Sequence, residues 1–345
     1  LIWEESRKQD LGIDLKLFND DLSIVFDLFK ERRENILLKR EHSMPSFLGY
    51  NTSAPYGNIG IIENKGFDGT IEYNKRINKD WVIALRGNVT FNKDKWIQGE
   101  LPEQKYEWMN QYGRNINGAK GYVAEGLFTQ AEIDDMARWE SLSAANKAIT
   151  PKPFASQFGT VKAGDIKYKD MNGDKVINSD DRVAMGYNST CPETYYSFSL
   201  GLEWKGLGFS AQFQGVGNYT AILSGTYYHP LVDNTTISNY VYRNRWTPET
   251  PNARFPRLTT ETVDNNLQTS SLWLADRSFL KLRNCEVYYK LPSSWLNKFW
   301  MKNAKVYVRG VDLLCFDSID QLDPEAMSTS YPATRSIHVG LSVGF

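Results

Sequence analysis

Two regularities constrain this chain more than anything else in it. Apolar and polar residues alternate at every second position, and the links between alternating stretches are by turns short and long. Period-two alternation marks a β-strand with two unlike faces. Leu11, Ile13, Leu15 and Leu17 form the first set, and Leu22, Ile24, Phe26 and Leu28 the second, after an Asn19-Asp20 turn. Phe67, Ile71 and Tyr73 form the third, and Trp81, Ile83, Leu85, Val89 and Phe91 the fourth. Tyr196, Phe198, Leu200, Leu202 and Trp204 follow, then Leu207, Phe209, Ala211 and Phe213. Stretches 278–290 and 304–315 are strand-like but less cleanly sorted, and Ile337, Val339, Leu341, Val343 and Phe345 alternate again. The pattern predicts nine strands.

The short links are Asn19-Asp20, Arg76–Asp80, Lys205-Gly206 and Leu291–Asn303, and the long ones are 36–60, 94–194, 218–277 and 316–333. Strict alternation of this kind collects every long link at one end of an antiparallel sheet. Outer-membrane barrels are built so, with short periplasmic turns and long extracellular loops. A soluble sandwich shares the residue alternation but has no reason to sort its loops by parity. The expected fold class is therefore all-β, a transmembrane antiparallel β-barrel. Nineteen Tyr, 17 Phe and 10 Trp suit strands and interfacial belts. No run of about 18 apolar residues predicts a membrane helix. The negative mean hydropathy of -0.48 is no objection, because lumen-facing and lipid-facing residues average out in a barrel.

With 40 basic and 41 acidic residues the net charge is -1, and the cations are not clustered as a nucleic-acid surface requires. Cys191, Cys285 and Cys315 are odd in number and lack metal-ligand spacing. His42, His229 and His338 are scattered, and no nucleophile-base arrangement stands out, so no enzyme is expected. The chain opens on Leu1-Ile2-Trp3 with no starting Met or signal peptide, and it reads as part of a longer protein. Nine strands do not close a bacterial single-chain barrel, which takes an even number. In a parent of about 22 strands, roughly thirteen would precede Leu1. The terminal Phe345 closes an alternating strand, as in the signal by which barrels are recognised for insertion.

Seven blocks resemble, in order, the C-terminal half of the SusC/RagA family of TonB-dependent transporters. They are Trp3-Glu4 with Asp10–Asp14; Asn58-Ile59-Gly60 with Asn64–Phe67; Gly121–Phe128; Gly164–Asp174 with Asp181-Arg182; Arg245–Glu249 with Pro256-Arg257-Leu258; Asp276–Asn284 with Leu291-Pro292; and Leu322–Glu325 with Tyr331-Pro332. The resemblance implies an importer working with a SusD-like surface lipoprotein in the outer membrane of a Bacteroidetes-type Gram-negative bacterium. Its ligand would be a glycan, on family frequency, or a peptide. The TonB complex would drive it, the plug would lie outside this sequence, and a dimer of transporter–lipoprotein pairs is implied.

One segment carries explicit chemistry. Asp170, Asn172 and Asp174 stand at positions one, three and five of a twelve-residue calcium loop; Val176 could offer its carbonyl at seven, Asn178 could act at nine, and Asp181 could close the shell. Two departures stand against it: Lys175 where Gly normally makes the sharp turn, and Asp rather than Glu at twelve. The expectation is a weak structural Ca²⁺ site of roughly 10⁻⁴–10⁻³ M, or else a turn held by its own Asx hydrogen bonds. Tyr227, Tyr228, His229 and Arg243 are the ligand-contact candidates, since aromatic faces stack on sugars and Arg binds hydroxyls or peptide groups. Trp246, in a family-like block, is expected to pack the loop. Trp295, Phe299 and Trp300, with Lys298 and Lys302, read as an interfacial aromatic girdle. Segment Ala131–Ala148 reads as a short helix with Glu132, Asp134 and Asp135 on a solvated face. The alternative function is a secreted or surface-attached all-β glycan-binding module.

Overall fold

The computed structural model describes residues 1–43, 47, 49, 54–232, 235–296, 300–327, 331 and 333–345. Strands β1 (Glu5–Leu17), β2 (Leu22–Lys39), β3 (Tyr56–Arg76) and β4 (Trp81–Gln98) begin one sheet. A first excursion then carries β5 (Gly118–Gly121), β6 (Ala124–Leu127), helices α1 (Gln130–Glu140) and α2 (Ala144–Ile149), β7 (Ile166–Tyr168) and β8 (Val183–Asn188). Strands β9 (Thr194–Trp204) and β10 (Leu207–Gly217) return to the sheet. A second excursion holds β11 (Thr220–Ile222) and β12 (Leu274–Asp276), and β13 (Phe279–Lys290), β14 (Asn303–Asp317) and β15 (Ser336–Gly344) complete the sheet.

The sheet has nine strands in the order β1-β2-β3-β4-β9-β10-β13-β14-β15, and they are the nine expected from the alternation. Each pairs antiparallel with the next, so all long excursions leave from one end. Among the described residues, β1 and β15 pair on one side only. The tight turns are made by left-handed residues: Phe18, Asn19 and Asp20 have φ of 57°, 56° and 64°, and Lys205 and Gly206 have 49° and 85°. Two consecutive positive φ values give a turn whose twist matches that of the flanking strands.

Register turns the alternation into two faces. Leu15, Ile24, Ile71, Gly87, Phe198, Phe213, Leu282 and Leu314 are successive partners across eight strands. One residue away, Lys16, Ser23, Glu72, Arg86, Ser199, Gln212 and Asn284 form a polar row on the other face. The apolar face is open: Leu11, Ile13, Phe198, Val287, Val308 and Leu341 are all exposed. A continuous apolar surface of that extent is matched by lipid rather than water. On β4 it runs from Trp81 to Phe91, about 34 Å along the strand, or about 26 Å across a membrane at a 40° tilt.

The expected boundaries need correction. The loop read as 36–60 contracts to 40–55, and β4 continues to Gln98, because β2, β3 and β4 keep pairing beyond the apolar band. Stretches 278–290 and 304–315 sorted poorly because the register slips between Leu282 and Asn284, which moves the outward residues from Cys285 to Leu282. The expected single helix is two: α1 is closed at its start by a Thr129/Glu132 capping box, and Ser143 caps α2. Glu132 is thus a capping residue that also binds Lys167 at 2.8 Å, not part of a plain solvated face. Burial pushes its carboxyl up, but Lys167 and Thr129 outweigh that and hold it below its ordinary value.

At the short-turn end, Trp295 and Trp300 are exposed as a girdle requires, while Lys298 and Phe299 lie outside the described residues, as does Pro332 of the last family-like block. Trp81, Trp204 and Tyr289 are further outward aromatics at this end, with the two indole rings 5.9 Å apart. Phe345 follows Gly344, whose carbonyl accepts from Lys302 N, and is exposed at the same end.

Candidate functional site

The inner face of the sheet is concave and polar. A cavity of about 870 Å³ lies against it, lined by Glu72, Arg86, Asn88, Ser199, Gln212 and Glu286 among others. Its charges are internally paired: Arg86 Nε lies 3.0 Å from Glu72, and Glu286 receives Lys305 at 2.9 Å and Arg309 Nε at 2.7 Å. Asn284 donates to Gln212 at 3.0 Å. Such a wall offers hydroxyls, amides and compensated ions to a hydrated solute.

The excursions at the long-loop end do not stand apart. Tyr122, Ile166, Tyr168 and Ile177 of the first share one core with Leu223, Tyr228, Val241, Phe255 and Trp273 of the second, and Leu322 and Met327 of the last loop pack against it. Polar bonds cross the same seam. Tyr122 N donates to Thr269 O at 2.9 Å, Asn265 Nδ2 to Ile166 O at 2.7 Å, and Tyr168 OH to Asn265 O at 2.6 Å. Asp165 is fully buried (0% exposed) and lies 2.8 Å from Arg257 Nε, while accepting from Asn266 Nδ2 at 2.9 Å and Lys162 N at 2.8 Å. Gly164 has φ +86°, and a Cβ there would come within 2.5 Å of the Trp246 ring. Gly121 is confined differently: its Cβ would meet Thr269 O at 2.3 Å. The first residues of the family-like block Gly164–Asp174 are therefore the joint between excursions, and Trp246 packs there as expected.

The last long loop is tied to the wall. Lys281, 3% exposed, binds Asp323 at 2.8 and 2.9 Å and Glu325 at 2.7 Å. Arg283 binds Asp312 at 3.0 Å and also Glu325. Arg277 donates to Pro324 O at 2.6 Å, Glu325 O at 3.1 Å and Tyr219 OH at 2.7 Å. Two further family-like blocks, Asp276–Asn284 and Leu322–Glu325, are thus partners in one polar lock.

The four contact candidates do not form one surface. Tyr228 is 4% exposed and sits in the shared core, where burial and its neighbours push its hydroxyl up to about 12. His229 packs edge-on against Trp273 at 4.4 Å, and burial lowers its pKa. Tyr227 touches Tyr228 at 5.0 Å and lines a cavity of about 460 Å³ together with Thr226 and Arg277. Arg243 is exposed at the end of the short helix Asn239–Arg243. Of the four, Arg243 is exposed, Tyr227 and His229 are half-buried with Tyr227 packed against the shared core, and Tyr228 is a core residue.

The 170–181 segment is a turn closed by its own amides. Asp170 accepts from Gly173 N at 2.7 Å and Lys175 N at 2.8 Å, Asn172 from Asp174 N at 3.0 Å, and Asp174 from Val176 N at 2.8 Å. Asp181, fully buried (0% exposed), accepts from Met171 N at 2.8 Å and Asn178 N at 2.9 Å. Lys175 takes φ 64°, supplying the sharp bend without glycine. Among the described residues, no three His, Cys, Asp or Glu side chains converge as a metal site.

No family model matches the chain. Among curated proteins it is 26% identical to TonB-dependent receptor P3 of Formosa agariphila, covering 100% of this chain and 34% of that protein. It is 25% identical to TonB-dependent receptor P26 of the same organism, over 100% of this chain and 35% of that one. It is 21% identical to TonB-dependent receptor SusC of Bacteroides thetaiotaomicron, over 100% and 32%. The chain thus spans about a third of the length of these relatives. Among solved structures, the RagAB peptide transporter superposes with TM-score 0.71 at 20% identity, over 100% of this chain and 36% of that one. The RagAB peptide importer in its open-open state gives 0.71 at 22% identity, over 100% and 35%. These likenesses establish the barrel-transporter fold, and the relatives are named as receptors and transporters, not enzymes.

Proposed function

We propose, for a chain that is SusC/RagA-type TonB-dependent receptor sequence along its whole length, that it forms nine strands of an outer-membrane importer and the loop module above them. The observation that carries this is the pairing of an apolar outer face with a polar, cavity-bearing inner face across one register. The free edges of β1 and β15 would join further strands of the longer receptor. The imported nutrient would be an oligosaccharide or an oligopeptide, the first favoured on family frequency. A SusD-like lipoprotein would cap the long-loop end, facing the cell exterior, and energy would come from the TonB complex. Import requires no covalent chemistry on the ligand.

The intact receptor should extract only with detergent and run faster on a gel unheated than boiled. Co-purification with a surface lipoprotein, and loss of uptake of a labelled oligosaccharide or peptide on its deletion, would complete the case. A protein that is soluble without detergent and shows no heat-dependent shift would instead support the secreted binding module.

Ca²⁺ is a second proposal for the 170–181 turn, supported by the donor spacing and the left-handed Lys175. Calorimetric titration of the intact receptor should then show heat at millimolar Ca²⁺ that Asp170→Asn abolishes. A flat titration would leave the turn to its own hydrogen bonds.

A further inference from the structure

We infer that the outer face of β1–β4 holds a phosphate-bearing lipid of the outer leaflet. The inference rests on the barrel reading and names a site within it. On each of these strands the outward apolar row ends at Leu11, Leu28, Phe67 and Phe91, which are partners across the four strands. The next outward row is Gln9, Lys30, Lys65 and Lys93, again in register. The change from hydrocarbon-like to cationic surface takes one step of two residues. It falls at the far edge of the roughly 26 Å band that begins at Trp81.

Two separate concavities each take residues from that cationic row. One of about 470 Å³ is lined by Leu11, Leu28, Phe67 and Phe91, together with Lys30, Lys65 and one acidic residue, Asp10. The other, about 410 Å³, is lined by Lys93 with Arg114 and Lys120, and its lining contains no carboxylate. Among the described residues Lys65, Lys93, Arg114 and Lys120 have no ion-pair partner, while Lys30 shares Glu63 with Lys95. A groove that is apolar below and cationic above complements an acyl chain joined to an anionic head. Among the described residues the cationic row stops at β4, because the pairing of β4 with β9 ends at Phe91 opposite Thr194. The site is therefore local to four strands and not a general belt. A phosphate near the surface gains from each lysine, and the attraction fades within a Debye length.

The test is lipid binding to the intact, detergent-purified receptor, read by native mass spectrometry with lipid A and dephosphorylated lipid A as probes. Lys30→Ala, Lys65→Ala and Lys93→Ala combined should weaken lipid A binding about a hundredfold. The matching triple at the short-turn end, Lys79→Ala, Lys205→Ala and Lys302→Ala, should leave it unchanged. Equal binding of the two lipids, equal binding by both triples, or full displacement by 10 mM inorganic phosphate (about that needed to saturate a weak anion site) would overturn the assignment. Heat-dependent gel migration on the same samples reports separately on the barrel, so a barrel that binds no lipid A refutes this site and not the importer.

Discussion

An Asp165→Ala receptor should lose its loop module while keeping its barrel. The carboxylate is fully buried and faces Arg257, Asn266 and the Lys162 amide. Removing one partner of a buried ion pair strands the other, which costs about 3–5 kcal/mol. The loss should fall where the two excursions meet, because Asp165 lies between Gly164, packed under Trp246, and Ile166, held by Asn265 and Asn266. Hydrogen exchange should accelerate at Tyr122, Ile166 and Trp273, with the sheet amides and the heat-dependent gel shift unchanged. Asp165→Asn, which keeps shape but not charge, should lose most of the same protection. Unaltered exchange in both variants would show that the apolar core alone joins the excursions.

Lys281→Met should release the last long loop from the wall. It would leave Asp323 and Glu325 without the ammonium that both contact, and the expected cost is about 3–5 kcal/mol, reduced where Arg283 still reaches Glu325. Burial pushes both carboxyls up, but Lys281 at Asp323, and Arg283 and Lys281 at Glu325, outweigh it and hold both below their ordinary values. A carboxyl whose folded pKa is lowered contributes stability that is whole above its unfolded value and is lost as pH falls through the folded one. Protection of the 318–327 segment should therefore be flat from neutrality down to about pH 5 and should fail below about pH 4. Proteolysis of this loop across that range, in the wild type and in Lys281→Met, measures both effects. A pH profile that the substitution leaves unchanged would remove Lys281 as the anchor.

The strands were legible because lipid and lumen impose opposite chemistry on alternate residues, so the fold is written at a period that local sequence displays. Their outer ends were not. From Lys30 to Asn35 on β2 both faces carry polar or charged side chains, and Ile36, Leu37 and Leu38 beyond them run consecutively across a register shift, so no alternation marks the continuing ladder. The loop module was illegible for a different reason. An aromatic beside a polar group has the same composition in a core as on a contact surface, and only the partner decides. Tyr228 meets Phe255 from elsewhere in its own excursion, while Asp165 and Arg257 lie 92 positions apart. The family-like blocks were visible as words, but that they fasten loops to one another required the structure.

That fastening limits how such a receptor diversifies. Residues 99–193 and 218–278 interlock through one core and one buried charge, and the last loop is bolted to β13. A chimera receiving one of these segments from a relative would inherit half of a joint, with an unmatched Asp165 or Arg257 and an exposed Trp273 or Tyr168. New specificity would then spread by exchange of both excursions together, or by drift at exposed positions such as Arg243, where change leaves the joint intact.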